Sequence, residues 1–299
     1  MHLKAKAKNI AKYAIKLALS ALALWFVFTK VDWAELGKAW KSASVSFIVL
    51  AMVCFVASKM IAAYRLNLFF RHSGIVLGYW QNAKLYLLGM YYNLFLPGGI
   101  GGDGYKVYLL RKSHGKSLKS LTWVMLLDRL GGLAAIGLLL AIGSFVVELP
   151  GWVYVLSVAA LLLIPIVGYL LIKQFFNQFK GIYLNIIGLS VLVQFSQVLS
   201  AVCLLIALGE NAALIAYALL FLVSSVAAML PLSLGGLGAR EVAMYYMAEY
   251  FSLNSAVAMS VSLIFYAISA LVSLSGIYFS FNTRSLGLEI NDSEMEDQG

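Results

Sequence analysis

Leu96–Lys106 reads LPGGIGGDGYK, and Leu230–Arg240 reads LPLSLGGLGAR. Aligned without a gap, both fit L-P-x-x-[IL]-G-G-x-G-x-[KR], with the two prolines 134 residues apart (231 − 97). Each copy follows a long apolar run and closes on a cation. Proline lacks a backbone donor and breaks a helix. Glycine tolerates φ > 0 and lets other groups approach the backbone closely. Each copy therefore reads as an interruption of a hydrophobic helix, turning on Pro97, Gly101, Gly102 and Gly104 in the first case. Pro231, Gly235, Gly236 and Gly238 serve in the second. Matched interruptions in the two halves of a membrane chain point to a substrate site between repeats.

The whole composition fits that setting. The 299 residues are 62% hydrophobic and only 12% charged, where soluble domains carry roughly 25% charged residues. Several apolar runs approach the roughly 20 residues that a bilayer-spanning helix needs. The net charge of +9 would suggest nucleic acid for a soluble protein. Here the basic residues sit in short loops, so they read as cytoplasmic positive charge and no nucleic-acid partner is expected. Cys54 and Cys203 lie inside apolar runs and suggest neither a disulfide nor a metal site. Lys4, Lys6, Lys8 and Lys12 precede the apolar run 13–28 in the manner of a signal peptide. No small-residue cleavage site follows, so a retained first helix is expected.

The expected spans are 13–29, 45–64, 84–104 (interrupted), 121–147, 152–172, 182–208, 212–238 (interrupted) and 255–281. Arg65 and Arg71 place the loop 65–83 inside, and the cations between Lys106 and Lys119 do the same for 106–120. With both flanks cytoplasmic, 84–104 enters, turns and returns. Thirteen residues of helix before Pro97 rise about 20 Å, enough to reach the middle of a core about 30 Å thick. The second interrupted segment then enters from the outer side. The expected fold is an all-α polytopic membrane protein of two inverted repeats, each with three spanning helices and one re-entrant, broken helical hairpin. The first repeat covers 1–149, the second 150–281, and 282–299 is a disordered acidic tail. Both termini are cytoplasmic and the membrane is the plasma membrane.

Ionisable residues inside a membrane are costly and mark function by default. The candidates are Asp103 and Lys106 in the first turn, Asp128 and Arg129 in the span after it, and Arg240 and Glu241 after the second turn. Arg offers phosphate a planar fork and Lys a point charge. Lys106, Arg129 and Arg240 thus form an anion cradle, with Asp103, Asp128 and Glu241 as counter-charges. The alternative is that the adjacent acid–base pairs only lock helices together. Asn93 sits one helical turn before Pro97, where capping the break is its simplest role. Lys59 is expected to snorkel toward the cytoplasmic end of its helix. His2, His72 and His114 have no second His or Cys at ligand spacing, so no metal site is expected. No cofactor motif is present, and no serine occupies a nucleophile elbow.

NLFLPGGIGGDGYK (Asn93–Lys106), LDR (Leu127–Arg129) and PLSLGGLGARE (Pro231–Glu241) together resemble the membrane-embedded, flippase-type domain of lysylphosphatidylglycerol synthases. The resemblance implies an integral membrane protein that translocates or handles lipids. Its pattern falls on Asn93, Pro97, Gly101, Gly102, Asp103, Asp128, Arg129, Gly235, Gly236, Gly238, Arg240 and Glu241. Position 106 is Lys where many relatives are expected to carry Arg, which keeps charge but not bidentate geometry. The chain lacks the soluble aminoacyl-transfer domain of full synthases, so synthesis of lysylphosphatidylglycerol is not expected. The leading expectation is a non-enzymatic flippase for an anionic phospholipid or lipid-linked precursor. A membrane-embedded transferase with Asp103 or Asp128 as base is the alternative, and an accessory partner of a separate glycosyltransferase or lipid synthase is a third.

Overall fold

The computed structural model describes residues 43–95, 101–229 and 238–288, together with Gly37 and Trp40. These residues fold into helices, with no strand among them: α1 (Val45–His72), α2 (Tyr79–Phe95), α3 (Gly101–His114), α4 (Leu118–Gly143) and α5 (Gly151–Phe175). There follow α6 (Tyr183–Ala207), α7 (Leu214–Met229), α8 (Ala239–Tyr250), α9 (Ser255–Leu274) and the single turn α10 (Ile277–Phe281). Among the described residues, five stretches are long and apolar enough to cross a membrane. They are built on α1, α4, α5, α6 and α9. The expected first span, 13–29, lies outside the described residues, as do Pro97, Pro231, Gly235 and Gly236.

Helix starts follow their sequence signals. The Ser117 hydroxyl accepts from the Ser120 amide at the head of α4, and Asn254 Oδ1 accepts from the Val257 amide at the head of α9. Both are ordinary N-caps that satisfy an otherwise orphaned donor. One expected boundary is wrong. Residues 65–72 are not loop but the last two turns of α1, and Arg65 is buried. The chain there reads RLNLFFRH, whose Leu66, Phe69 and Phe70 continue the buried helical face. It stops only at Gly74, whose φ of +73° a residue with a Cβ rarely adopts.

The helices α2, α3, α7 and α8 have 17, 14, 16 and 12 residues. At 1.5 Å per residue they extend about 18–26 Å, each short of a hydrocarbon core about 30 Å thick. They pack in pairs, α2 on α3 and α7 on α8. The first pair runs antiparallel: Gly89 lies against Lys106 and Gly102, and Asn93 bonds the Gly102 amide. Helices α1 and α6 also run antiparallel. The Ser44 amide bonds the Ala207 carbonyl at one end, Ser200 Oγ donates to the Ala51 carbonyl, and Arg65 reaches Ser190.

A shift of 134 residues moves α1, α2, α3 and α4 onto 179–206, 213–229, 235–248 and 252–277, close to α6, α7, α8 and α9. Packing shifts with them. Helix α1 lies on α2 as α6 does on α7, α3 on α4 as α8 on α9, and α4 on α7 as α9 on α2.

Two apolar cores result. One gathers Leu66, Phe69, Leu88, Leu110 and Val124 around the α2–α3 pair; the other gathers Phe55, Leu204, Phe221, Met244 and Phe265 around α7–α8. Helix α5 instead turns Val155, Leu162, Ile166 and Leu170 outward. Such a surface suits acyl chains, since soluble proteins rarely expose a contiguous apolar face of that size.

The residues after Phe281 are not all tail. Leu286 is 1% exposed and inserts into the first core, while Gln81 and Lys84 of α2 bond the carbonyls of Gly287 and Ser285. The alternating Leu286 and Leu288 supply the apolar anchor that the polar composition of this stretch hides. Charge separates along the long axis. Arg71, Arg111, Lys112, Lys116, Lys119, Lys173 and Lys180 lie where α1, α3 and α5 end and α4 and α6 begin. Glu148 and Glu210 follow the ends of α4 and α6, and Glu249 sits in the last turn of α8, at the opposite pole.

Candidate functional site

Between the two cores lies a cavity of about 320 Å³. It forms where α2 ends (Asn93, Leu94), α7 ends (Ala228, Met229) and α8 begins (Arg240). The walls come from α1 (Lys59, Arg65), α4 (Asp128, Arg129, Gly132), α6 (Gln194, Gln197) and α9 (Tyr266, Ser269, Ser273). Four of these lining side chains are cations and one is a carboxylate. Both segments that join the helix pairs, 96–100 and 230–237, carry no ionisable residue.

Two ion-pair systems border this space. Arg65 Nε donates to Asp128 Oδ1 at 2.8 Å, its Nη1 to Ser190 Oγ at 2.8 Å, and its Nη2 to the Asp128 carbonyl at 3.1 Å. Each of its three nitrogens thus has a partner. In the second system Asp103 is shared. Its Oδ1 receives Lys106 Nζ at 2.8 Å and its Oδ2 receives Arg129 Nε at 2.6 Å. Lys106 is buried against Gly89, with its ammonium 5.0 Å from the Tyr86 ring centroid. Charge-assisted bonds of these lengths are the strong ones.

Lys59 and Arg240 differ. Among the described residues, no carboxylate lies within ion-pair distance of either. Aromatic faces support them instead: Lys59 Nζ sits 4.6 Å from the Phe55 centroid. The Arg240 guanidinium lies 4.7 Å from that of Phe265 and 5.1 Å from that of Phe221. Cation–π contact of this kind steadies a desolvated cation without neutralising it.

Glu241, next to Arg240 in the chain, is fully buried and turned away. Its Oε2 accepts the Gly238 amide at 2.7 Å and its Oε1 accepts the Ser262 hydroxyl at 2.6 Å. It thus caps the first turn of α8, where a negative charge also favours the helix dipole. Gly238 takes φ +89° immediately before that helix.

The first interruption is shorter than expected. Gly101, Gly102 and Gly104 are not turn residues but the first turn of α3. Asp103 suits the positive end of a helix there. A Cβ on Gly102 would collide with the Gly89 carbonyl, whereas nothing lies within 4 Å of one on Gly104. Gly102 is thus required by the crossing of α2 and α3. Asn93 reaches across the break to the head of the next helix, with Oδ1 accepting the Gly102 amide at 2.8 Å.

Of the candidates read from sequence, Asn93, Asp128, Arg129 and Arg240 line the cavity directly. Asp103 and Lys106 stand behind Arg129, and Glu241 stands behind Arg240. Lys59 was expected to snorkel; it instead sits midway along α1 and lines the cavity. Sequence reasoning missed Arg65 and the pair Gln194 and Gln197. For the glutamines a signal was present: polar residues three apart in a largely apolar helix share one face. No His or Cys lines the cavity, and among the described residues no group of three His, Cys, Asp or Glu could hold a metal ion.

The fold and site define a polytopic helical membrane protein with a cationic cavity among its apolar helices. The family model of the lysylphosphatidylglycerol synthase TM region matches residues 13–276, and the chain belongs to that family. Among curated proteins, none matches the chain.

Proposed function

We propose that this protein moves the anionic head group of a phospholipid or lipid-linked precursor across the membrane through the cavity between α2–α3 and α7–α8. The observation that carries the reading is a cavity inside a membrane body with four lining cations against one lining carboxylate. Buried charge left unbalanced is expensive, so such a wall favours an anionic guest.

The 134-residue shift supports two inverted repeats, about 1–149 and 150–281, each contributing one re-entrant hairpin. The α2–α3 hairpin enters from the basic pole and α7–α8 from the acidic pole. By the distribution of Lys and Arg the basic pole is cytoplasmic, and residues 282–288 pack at that side. Hairpins that enter from opposite leaflets give one site two mouths, which alternating access requires. Arg129 and Arg240, one beside each hairpin, hold the head group. Asp103 can release Arg129 while keeping Lys106, so the site can change charge partners as it changes face. Acyl chains remain in lipid.

The test is a head-group translocation assay in reconstituted liposomes with Arg129→Ala and Arg240→Ala. The reading expects both variants to fold and to lose most transport. Wild-type rates in both would overturn it.

A further inference from the structure

We infer that the guest of this cavity is a phosphate dianion, a phosphomonoester or diphosphate group, in preference to a singly charged phosphodiester. The inference rests on the transport reading and sharpens its substrate class.

The network contains five cations, Lys59, Arg65, Lys106, Arg129 and Arg240, and three carboxylates, Asp103, Asp128 and Glu241. Among the described residues, the resting site is therefore short of two negative charges. Each carboxylate is already committed: Asp128 to Arg65, Asp103 to Lys106 and Arg129 together, and Glu241 to the Gly238 amide and Ser262. The two joining segments bring no charge of their own.

The missing charge is also localised. One surplus cation is Lys59 on α1 and another is Arg240 on α8, both held on aromatic faces and both lining the cavity. A phosphomonoester carries about −1.5 to −2 at neutral pH, with a second pKa near 6. A phosphodiester carries one charge and leaves a cation uncompensated in a low-dielectric place, which disfavours it. Neutral donors for the remaining oxygens stand in the same wall: Gln194, Gln197, Ser225, Ser269 and Tyr266.

The experiment places the full chain in nanodiscs containing equal phosphatidic acid and phosphatidylglycerol, and reads the retained lipid by native mass spectrometry. At pH 7.5 phosphatidic acid should be retained on the order of tenfold over phosphatidylglycerol, equivalent to about 1.4 kcal/mol. At pH 5, where the monoester holds one charge, the preference should vanish. Lys59→Gln should abolish it at pH 7.5, and Lys59→Arg should keep it, which separates lost charge from lost folding. Inorganic phosphate added as competitor identifies the source. Displacement of the lipid means that the free dianion is recognised; retention means that the lipid-borne group is, and either upholds the charge assignment. Equal retention of both lipids, unmoved by Lys59→Gln, overturns the inference and leaves the transport reading standing. Retention of neither lipid and no effect of phosphate overturns both.

Discussion

Removal of both partners of the Arg65–Asp128 pair should cost well short of the sum of the two single removals. The two side chains are 5% and 13% exposed and meet at 2.8 Å, with a second bond from Nη2 to the Asp128 carbonyl. Asp128→Ala leaves a buried guanidinium with only the Ser190 hydroxyl and a main-chain carbonyl. Loss of one member of a buried ion pair costs about 3–5 kcal/mol. Arg65→Met alone strands the carboxylate at a similar cost. In the double variant no charge remains unpaired, and the methionine stem fills much of the vacated volume. The double loss should therefore fall short of the sum by roughly 2–3 kcal/mol, near the upper end of couplings between contacting residues. Unfolding of the four proteins by SDS titration in mixed micelles measures the cycle. Additivity within about 0.5 kcal/mol would refute the claim that these groups hold each other, because independent sites behave that way.

Other expected outcomes follow from the same geometry. Gly102→Ala should destabilise by about 1–3 kcal/mol through the forced separation of α2 and α3, whereas Gly104→Ala should be neutral or gain up to about 1 kcal/mol; thermal unfolding in detergent compares them. Glu241→Gln keeps one acceptor for two donors and should cost about 1–3 kcal/mol, read in the same assay. Asp103→Asn should weaken the hold on both Lys106 and Arg129 and slow head-group translocation in liposomes more than it lowers stability. Unchanged transport would show that the shared carboxylate only pins helices.

Much of the architecture was legible because the bilayer imposes simple rules. Apolar runs of span length gave α1, α4, α5, α6 and α9, and the repeated L-P-x-x-[IL]-G-G pattern located both helix pairs. Boundaries failed where composition misleads. Arg65 reads as a loop residue because free arginines avoid hydrocarbon, yet its partner Asp128 is 63 positions away and invisible to a local window. Lys59 failed for the same reason: whether a lysine snorkels or faces a cavity depends on which helix lies opposite. Gly101–Gly104 read as a turn because glycine permits turns. The structure uses Gly102 for close approach to Gly89, a tertiary reason that spacing does not reveal. Leu286 and Leu288 were hidden in a stretch whose average is polar.

Side-specific labelling of the two helix pairs tests the arrangement most directly. In a chain carrying Cys54→Ser and Cys203→Ala, single cysteines are placed at Lys119, just past the α2–α3 pair, and at Asn211, just before α7–α8. A membrane-impermeant maleimide applied to intact cells and to inverted vesicles reads each position. Two hairpins that enter from opposite leaflets predict that Asn211→Cys is labelled from outside and Lys119→Cys only in inverted vesicles. Labelling of both from the same side would contradict the shared two-mouthed site, and head-group passage through it.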